Sequence, residues 1–551
     1  ESMRTGVIVL LLALLSGTTA GLPTAWEWAS DAAPGGAPAA AELDTASPGL
    51  ETVGCGGGEV YCLDATGAVF WTYTPDTPGQ FYGVAVMPAR EQQGVSTKAA
   101  VLALSDTALV CLDGAMGRPV WTVELAGAPD TWPVWADLDG DGAPEAVAMT
   151  TVGVAVFEYQ GAPRWTYPEA GAAPFKPIAP PAVGDADGDG VLEVYAAGGD
   201  TLVCLEQDGY LRWAWTADTP LAGAPALADA NDDGIVEVYC QSADGRKLYA
   251  LDAAYGDPLW EGQDAKAADT GEKGGAGVLV AGLNADRMAE VIAVTAAGRV
   301  CVYTAEGKPL WCFQDAQSGP RHAAVGDVDG DGIREILLAA GKTLYCLSEA
   351  GTPEWRQQFG GPLTQAPVLA DIDGDKQVEA LLAGAAGGGK GVVRCLDAAG
   401  PALAPLLPWP MAGAGPMRQG AALRFEDIEE VLYWDTQPVL EAGFNLADGA
   451  EAEAKAPGWS VMPDDTAWAL DGETLAGGTA AVRAEPAGAT VTLVSAPAPV
   501  SGEVREVSGS VLAKGEGAAR AAVRWQGEEG LLREDAMRRL AANDQGWRRF
   551  M

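Results

Sequence analysis

Residues 224–260 read APALADANDDGIVEVYCQSADGRKLYALDAAYGDPLW. A short apolar run, APALAD, leads into an acidic loop, and the β-rich stretch EVYCQS follows. A turn separates it from LYALD, and a Gly-containing turn then leads to a strand ending on Trp260. Short apolar runs bounded by Gly and Asp specify strands in a meander. Outward from this stretch the series recurs, with its tryptophan at Trp71, Trp121, Trp165, Trp213, Trp260, Trp311 and Trp355, about 44–51 residues apart. An eighth copy, VVRCLDAAG, lacks that tryptophan and meets Trp409 later, in LLPWPM. Four strands in about 45 residues, repeated eight times, predict an all-β chain with an eight-bladed β-propeller over 21–436. A blade cannot bury both faces alone, so neighbours stack and the recurring Trp is a wedge between them. A solenoid is the alternative; repeat number, blade size and the lack of capping elements favour the ring.

Two closures are open. WEWASDAAPGGAP (26–38) matches WAWTADTPLAGAP (213–225) in spacing, so 24–29 can complete the eighth blade as its outer strand. RQGAALRFEDIEEVLYW (418–434) resembles the first half of another repeat and is the rival.

The chain carries 34 basic and 76 acidic residues, a formal charge of −42, with 48% hydrophobic and 20% charged residues. It is core-forming, and its charge argues against nucleic acid or anionic lipid as partners. GVIVLLLALLSGTTAG after Arg4 has the layout of a secretory signal peptide, 1–20, and no later run is long enough to span a membrane. A secreted, extracellular or periplasmic location follows. Of the nine cysteines, Cys62, Cys111, Cys204, Cys346 and Cys395 share one repeated context (VYCLD, LVCLD, LVCLE, LYCLS, VRCLD), with Cys301 placed beside them in RVCVY. One strand position filled by Cys or Ala is a core filler, so mostly buried free thiols are expected; Cys55, Cys240 and Cys312 fall outside the series.

Five loops share one pattern: DLDGDGAPE (137–145), DADGDGVLE (185–193), DANDDGIVE (229–237), DVDGDGIRE (327–335) and DIDGDKQVE (371–379). Oxygen side chains fall at positions 1, 3, 5 and 9, and a glycine usually follows the third. Hard cations such as calcium need six to eight oxygens, which such a wrapped loop supplies, and the ninth-position acid excludes an EF-hand. Two carboxylates about 4 Å apart repel by roughly 4 kcal/mol at an effective dielectric near 20, so the cluster wants a cation.

These loops resemble the FG-GAP and VCBS repeats of integrin-like propellers, and the LYALD…G…W strands resemble pyrroloquinoline-quinone-type repeats. The resemblance covers roughly 24–430 and implies a structural calcium ion in each intact loop, about five in all. Carried over, the ligands are Asp137, Asp139, Asp141 and Glu145; Asp185, Asp187, Asp189 and Glu193; Asp229, Asn231, Asp233 and Glu237; Asp327, Asp329, Asp331 and Glu335; and Asp371, Asp373, Asp375 and Glu379. In GLNADRMAE (282–290) Gly282 replaces the first acid, and Arg287 is read as neutralising Asn284, Asp286 and Glu290. Lys376 replaces glycine in the fifth loop and weakens it, Glu51 keeps the ninth position in the first blade, and the second blade has no loop. Quinone enzymes of the resembled type carry adjacent cysteines and a central metal site; neither pattern is present, so no quinone and no catalytic residues are assigned. His322, the single histidine, either packs or faces the channel.

Past 437 the period stops, and AAVRW-type strands with Gly and Pro turns indicate a β-sandwich over 437–551. It resembles galactose-binding-like jelly rolls of the carbohydrate-binding-module type, in which Trp459, Trp468 or Trp525 either stack on sugar or fill the core. WRRFM stops before the strands such modules still need, which reads as an incomplete jelly roll in a longer protein. The resulting expectation is a secreted, calcium-stabilised binding or adhesion propeller for an extracellular glycan or protein. The alternatives are a polysaccharide lyase or glycoside hydrolase on such a propeller, and an extracellular structural scaffold.

Overall fold

The computed structural model describes residues 21–421, apart from 78, 93, 129–130, 170–174, 264–274, 284–287, 296–298, 315–320, 403–406 and 408, together with strands between Ser460 and Phe550. The signal-peptide reading, the Arg287 reading and most of the rival closure fall outside the described residues. Every regular element described is a β-strand, and no helix is long and apolar enough to cross a membrane. Contacts divide the chain into two units, Glu1–Ile428 and Glu429–Met551.

The first unit is an eight-bladed propeller. Blade 5, the repeat quoted above, orders Leu221–Ala228, Glu237–Ser242, Lys247–Asp252 and Pro258–Gln263 from inside to outside, each antiparallel to the next. Blades 1–4, 6 and 7 repeat it. Blade 8 takes Val368–Ala370, Gln377–Gly387 and Lys390–Pro401 from the end of the repeat array, and its outer strand is Thr24–Ser30. The N-terminal segment therefore closes the ring, and Trp26 opposes Cys395 as the missing eighth tryptophan.

That register explains the recurring small residue. The third-strand partner of each wedge tryptophan is Cys62, Cys111, Val156, Cys204, Ala250, Val302, Cys346 or Cys395, where a large side chain would push the indole off the next blade. Cys301 is one residue out of this series. Val302 holds its place opposite Trp311, and a one-residue slip turns Cys301 to the other face, directly opposite Cys312. The two form a disulfide, so the expectation of free thiols holds for seven buried cysteines and fails for this pair. Burial pushes the Cys111 and Cys240 thiols up to about 12, consistent with unreactive core fillers.

Between blades, seven of the eight wedge indoles donate to a carbonyl of the following blade: Trp26 to Ala65, Trp71 to Gly114, Trp121 to Tyr159, Trp165 to Gln207, Trp213 to Ala253, Trp260 to Ala305 and Trp311 to Glu349, at 2.7–3.0 Å. The core sits at these junctions; Tyr195 and Leu202 of blade 4 pack with Val238 and Leu251 of blade 5.

The inner strands are bridged by a segment that the repeat pattern does not foretell. Residues 409–421 run around the ring axis. Carbonyls of Trp409, Pro410, Pro416, Met417, Gln419 and Gly420 accept from Val325, Leu369, Val86, Trp135, Val183 and Leu227, one in each of six blades, at 2.7–3.0 Å. Arg418, 1% exposed, adds blade 1 by donating to the carbonyls of Ala37 and Pro38 and holds blade 2 a second time through that of Val84, at 2.7–3.1 Å, and its guanidinium lies over the Trp132 ring. Trp409 thus belongs to the axial plug and not to a blade wedge.

The second unit contains antiparallel pairs, among them Trp468–Leu475 with Thr479–Ala484 and Ala521–Gly527 with Gly530–Met537. Trp468 and Trp525 lie on these strands, and Trp459 lies outside the described residues.

Candidate functional site

All five acidic loops join the inner strand of a blade to its second strand, so blade symmetry gathers them on one end of the ring. Their backbones are wound alike. The first-position Oδ2 accepts the sixth-position N–H: Gly142, Gly190, Gly234, Gly332 or Lys376, at 2.8–3.0 Å. The fifth-position carboxylate turns to the seventh-position N–H, as in Asp141 with Ala143 and Asp331 with Ile333. The sixth residue is left-handed throughout, from φ 88° to 89° at the four glycines and 71° at Lys376. This conformation is free for glycine and strained for lysine, so the fifth loop carries a backbone cost that the other four do not.

Winding of this kind brings together Asp137, Asp139 and Glu145; Asp185, Asp187 and Glu193; Asp229, Asp233 and Glu237; Asp327, Asp329 and Glu335; and Asp371, Asp373 and Glu379, each set offering oxygens within 4.8 Å of one another. Asp141, Asp189, Asp331 and Asp375 at the fifth position stand outside these sets, and Asn231 at the third position of its loop donates to Asp233 at 3.0 Å. The donor set is all oxygen, as a hard cation requires. Asp137 is 8% exposed and its Oδ1 has no hydrogen-bond partner, an arrangement that costs free energy without a cation beside it. The loops therefore fit calcium.

The ninth-position glutamates do more than offer an oxygen. Their Oε2 accepts the second-position N–H, from Leu138, Ala186, Ala230, Val328 and Ile372, at 2.6–3.1 Å. Glu51 holds Leu43 and Glu290 holds Leu283 in the same way, although their loops have lost acids. Loop closure is thus common to seven blades. Burial, opposed by that backbone hydrogen bond, pushes Glu145, Glu193, Glu237 and Glu379 up to about 7 and Glu335 to about 8.

Two basic residues missed in the sequence enter the loops. Arg164 reaches Asp139 at 2.9 Å and Glu145 at 3.3 Å, and Arg212 reaches Asp187 at 2.6 Å and Glu193 at 3.3 Å. The Arg212 guanidinium holds Asp187 below the usual carboxylate range. Blade 2, which has no acidic loop, inserts a hairpin of Arg90–Gln92 with Val95–Thr97 there instead. It abuts the blade 3 loop, because a β-carbon on Gly142 would lie 3.2 Å from Val95.

A family model described as outer membrane protein assembly factor BamB matches residues 148–335, about a third of the chain. Over that stretch the repeats are similar to those of the pyrroloquinoline-quinone-like propeller type. No curated protein matches the sequence. Among solved structures, BamB from Moraxella catarrhalis is 18% identical with a TM-score of 0.47, over 68% of this chain and 98% of that one. Sqt1 of Saccharomyces cerevisiae is 12% identical with a TM-score of 0.49, over 68% and 99%. A europium-containing methanol dehydrogenase is 12% identical with a TM-score of 0.43, over 75% and 90%.

At the axis, a cavity of about 60 Å³ remains between the plug and the inner strands, lined by Trp132, Pro225, His322, Trp409 and Gly413 among others. It has room for a few waters, whereas small-molecule sites run to roughly 300–1,000 Å³. His322 faces this cavity, and burial pushes it down to about 4, leaving it neutral at pH 7.

Proposed function

We propose that the chain is an exported, calcium-stabilised β-propeller that binds an extracellular glycan or protein through an end face of the ring. The five oxygen-lined loops carry this reading, because their buried glutamates and the unpartnered Asp137 Oδ1 are matched by a divalent cation at one end of the blades. The likeness to FG-GAP and VCBS repeats supports the same assignment. Residues 409–421 cross the channel, which supports binding at an end face and a reading without quinone. The matched family is described as an assembly factor, a description that favours a binding role. The second unit belongs to this proposal as a carbohydrate-binding-module-like sandwich over 437–551.

The test is retention of the full chain, in calcium, on a panel of polysaccharides and extracellular proteins. Calcium-dependent retention without new reducing ends or unsaturated products is the expected outcome. Product formation would replace binding with a lyase or hydrolase, and retention on neither would leave a structural scaffold.

A further inference from the structure

The ring axis holds a positive charge that has no counter-charge. Among the described residues the buried Arg418 guanidinium meets the carbonyls of Ala37, Pro38, Val84 and Ala412 and the Trp132 ring, and no carboxylate. Carbonyl dipoles satisfy its N–H groups without neutralising it, and burying an unpaired charge costs free energy. Burial pushes Arg418 down only to about 10, so it stays charged at pH 7. The axial cavity lies directly against this charge, because Ala37, Ala412 and Trp132 all belong to its lining.

The rest of the lining suits an anion. The Trp132 Nε1–H, which can only donate, is buried without an acceptor. Gln365 brings an amide and His322 a neutral imidazole, each with an N–H to give. Among the described residues no Asp or Glu lines the cavity. Trp132 and Gln365 stand just before the inner strands Val134–Ala136 and Val368–Ala370, whereas the acidic loops follow the far ends of those strands. At roughly 30 Å³ per water, about 60 Å³ holds two waters or one compact anion.

We propose that the axial cavity binds one compact monovalent anion, a halide or a carboxylate, as the counter-ion of Arg418. Trp132, Gln365 and His322 donate to it, and it fastens the 409–421 plug to the ring on the side away from the acidic loops. This site goes beyond the calcium reading and is independent of it.

The test titrates chloride or formate into the full chain, held in calcium and in sodium gluconate at constant ionic strength, since gluconate is too large for the cavity. The expected result is a melting temperature that rises and saturates, with chloride-35 NMR line broadening that saturates in parallel. Trp132→Phe, which keeps a ring over Arg418, weakens the apparent affinity about tenfold. Gln365→Leu, at a half-buried position, does the same and keeps the test open should the first variant fail to fold. A response to chloride assigns a halide, and a response to formate alone assigns a carboxylate. A melting temperature unmoved by either anion would overturn the site and leave the calcium response standing. A saturating response that both substitutions leave intact would overturn it as well, by placing the anion elsewhere.

Discussion

Glu335 shows how one side chain serves two ends. Its Oε2 closes the loop on Val328 N–H at 2.9 Å, and the carboxyl shares a 4.8 Å cluster with Asp327 and Asp329. Burial raises it and its four counterparts from 4.5 to about 7 or 8. A raised folded-state pKa means the stability contributed by these groups is whole below pH 4.5 and is lost as pH rises through about 7–8. In chelator, the urea midpoint should therefore fall between about pH 5 and pH 8, and calcium should remove most of that fall. A midpoint that climbs across the same window in chelator contradicts the assignment. The acidic positions were legible because oxygen residues at alternate places around a glycine have few other uses. Arg164 and Arg212 were not, since which loop an outer-strand side chain meets is known only once strand register is known. Their signal was nonetheless present, as an arginine directly before the tryptophan in two repeats.

At the scale of the element, the blade junction is an indole laid on the turn of the next blade. Gly256 has φ 74°, and a β-carbon there would meet Trp213 Cδ2 at 2.6 Å. Gly199 has φ 64° with open space around it. Gly199→Ala should cost the left-handed backbone alone, roughly 1–2 kcal/mol. Gly256→Ala should cost measurably more, because the Trp213 ring must also shift. Equal losses in urea unfolding would show that the indole does not rest there. The four-strand meander and the wedge were readable from period and composition, since each repeat states its own strands and turns. The Cys301–Cys312 bridge was not, because RVCVY differs from LYCLD by one residue of register, and only pairing decides which face a cysteine takes.

For the whole molecule, ring closure and the axial plug decide what the propeller presents. Thr24–Ser30 joins the last blade, so the chain's two ends of repeat are clasped by antiparallel pairing and by Trp26 on Ala65. The spacing match of 26–38 to 213–225 made this closure visible, while the axial path of 409–421 was not legible, its last residues resembling instead the start of another repeat. Six inner strands then give an N–H to that one segment, and the channel narrows to a cavity of about 60 Å³. What remains open are the end faces, one of them carrying the five loops.

The central claim is that calcium braces that end. Thermal unfolding of the full chain at neutral pH, with calcium and with chelator, tests it most directly. At tenfold excess over the dissociation constant each filled site contributes roughly 1.4 kcal/mol, and the contributions of several filled sites add. The account predicts a melting temperature several degrees higher in calcium, with magnesium or sodium giving less. An identical melting temperature in calcium and in chelator would contradict it.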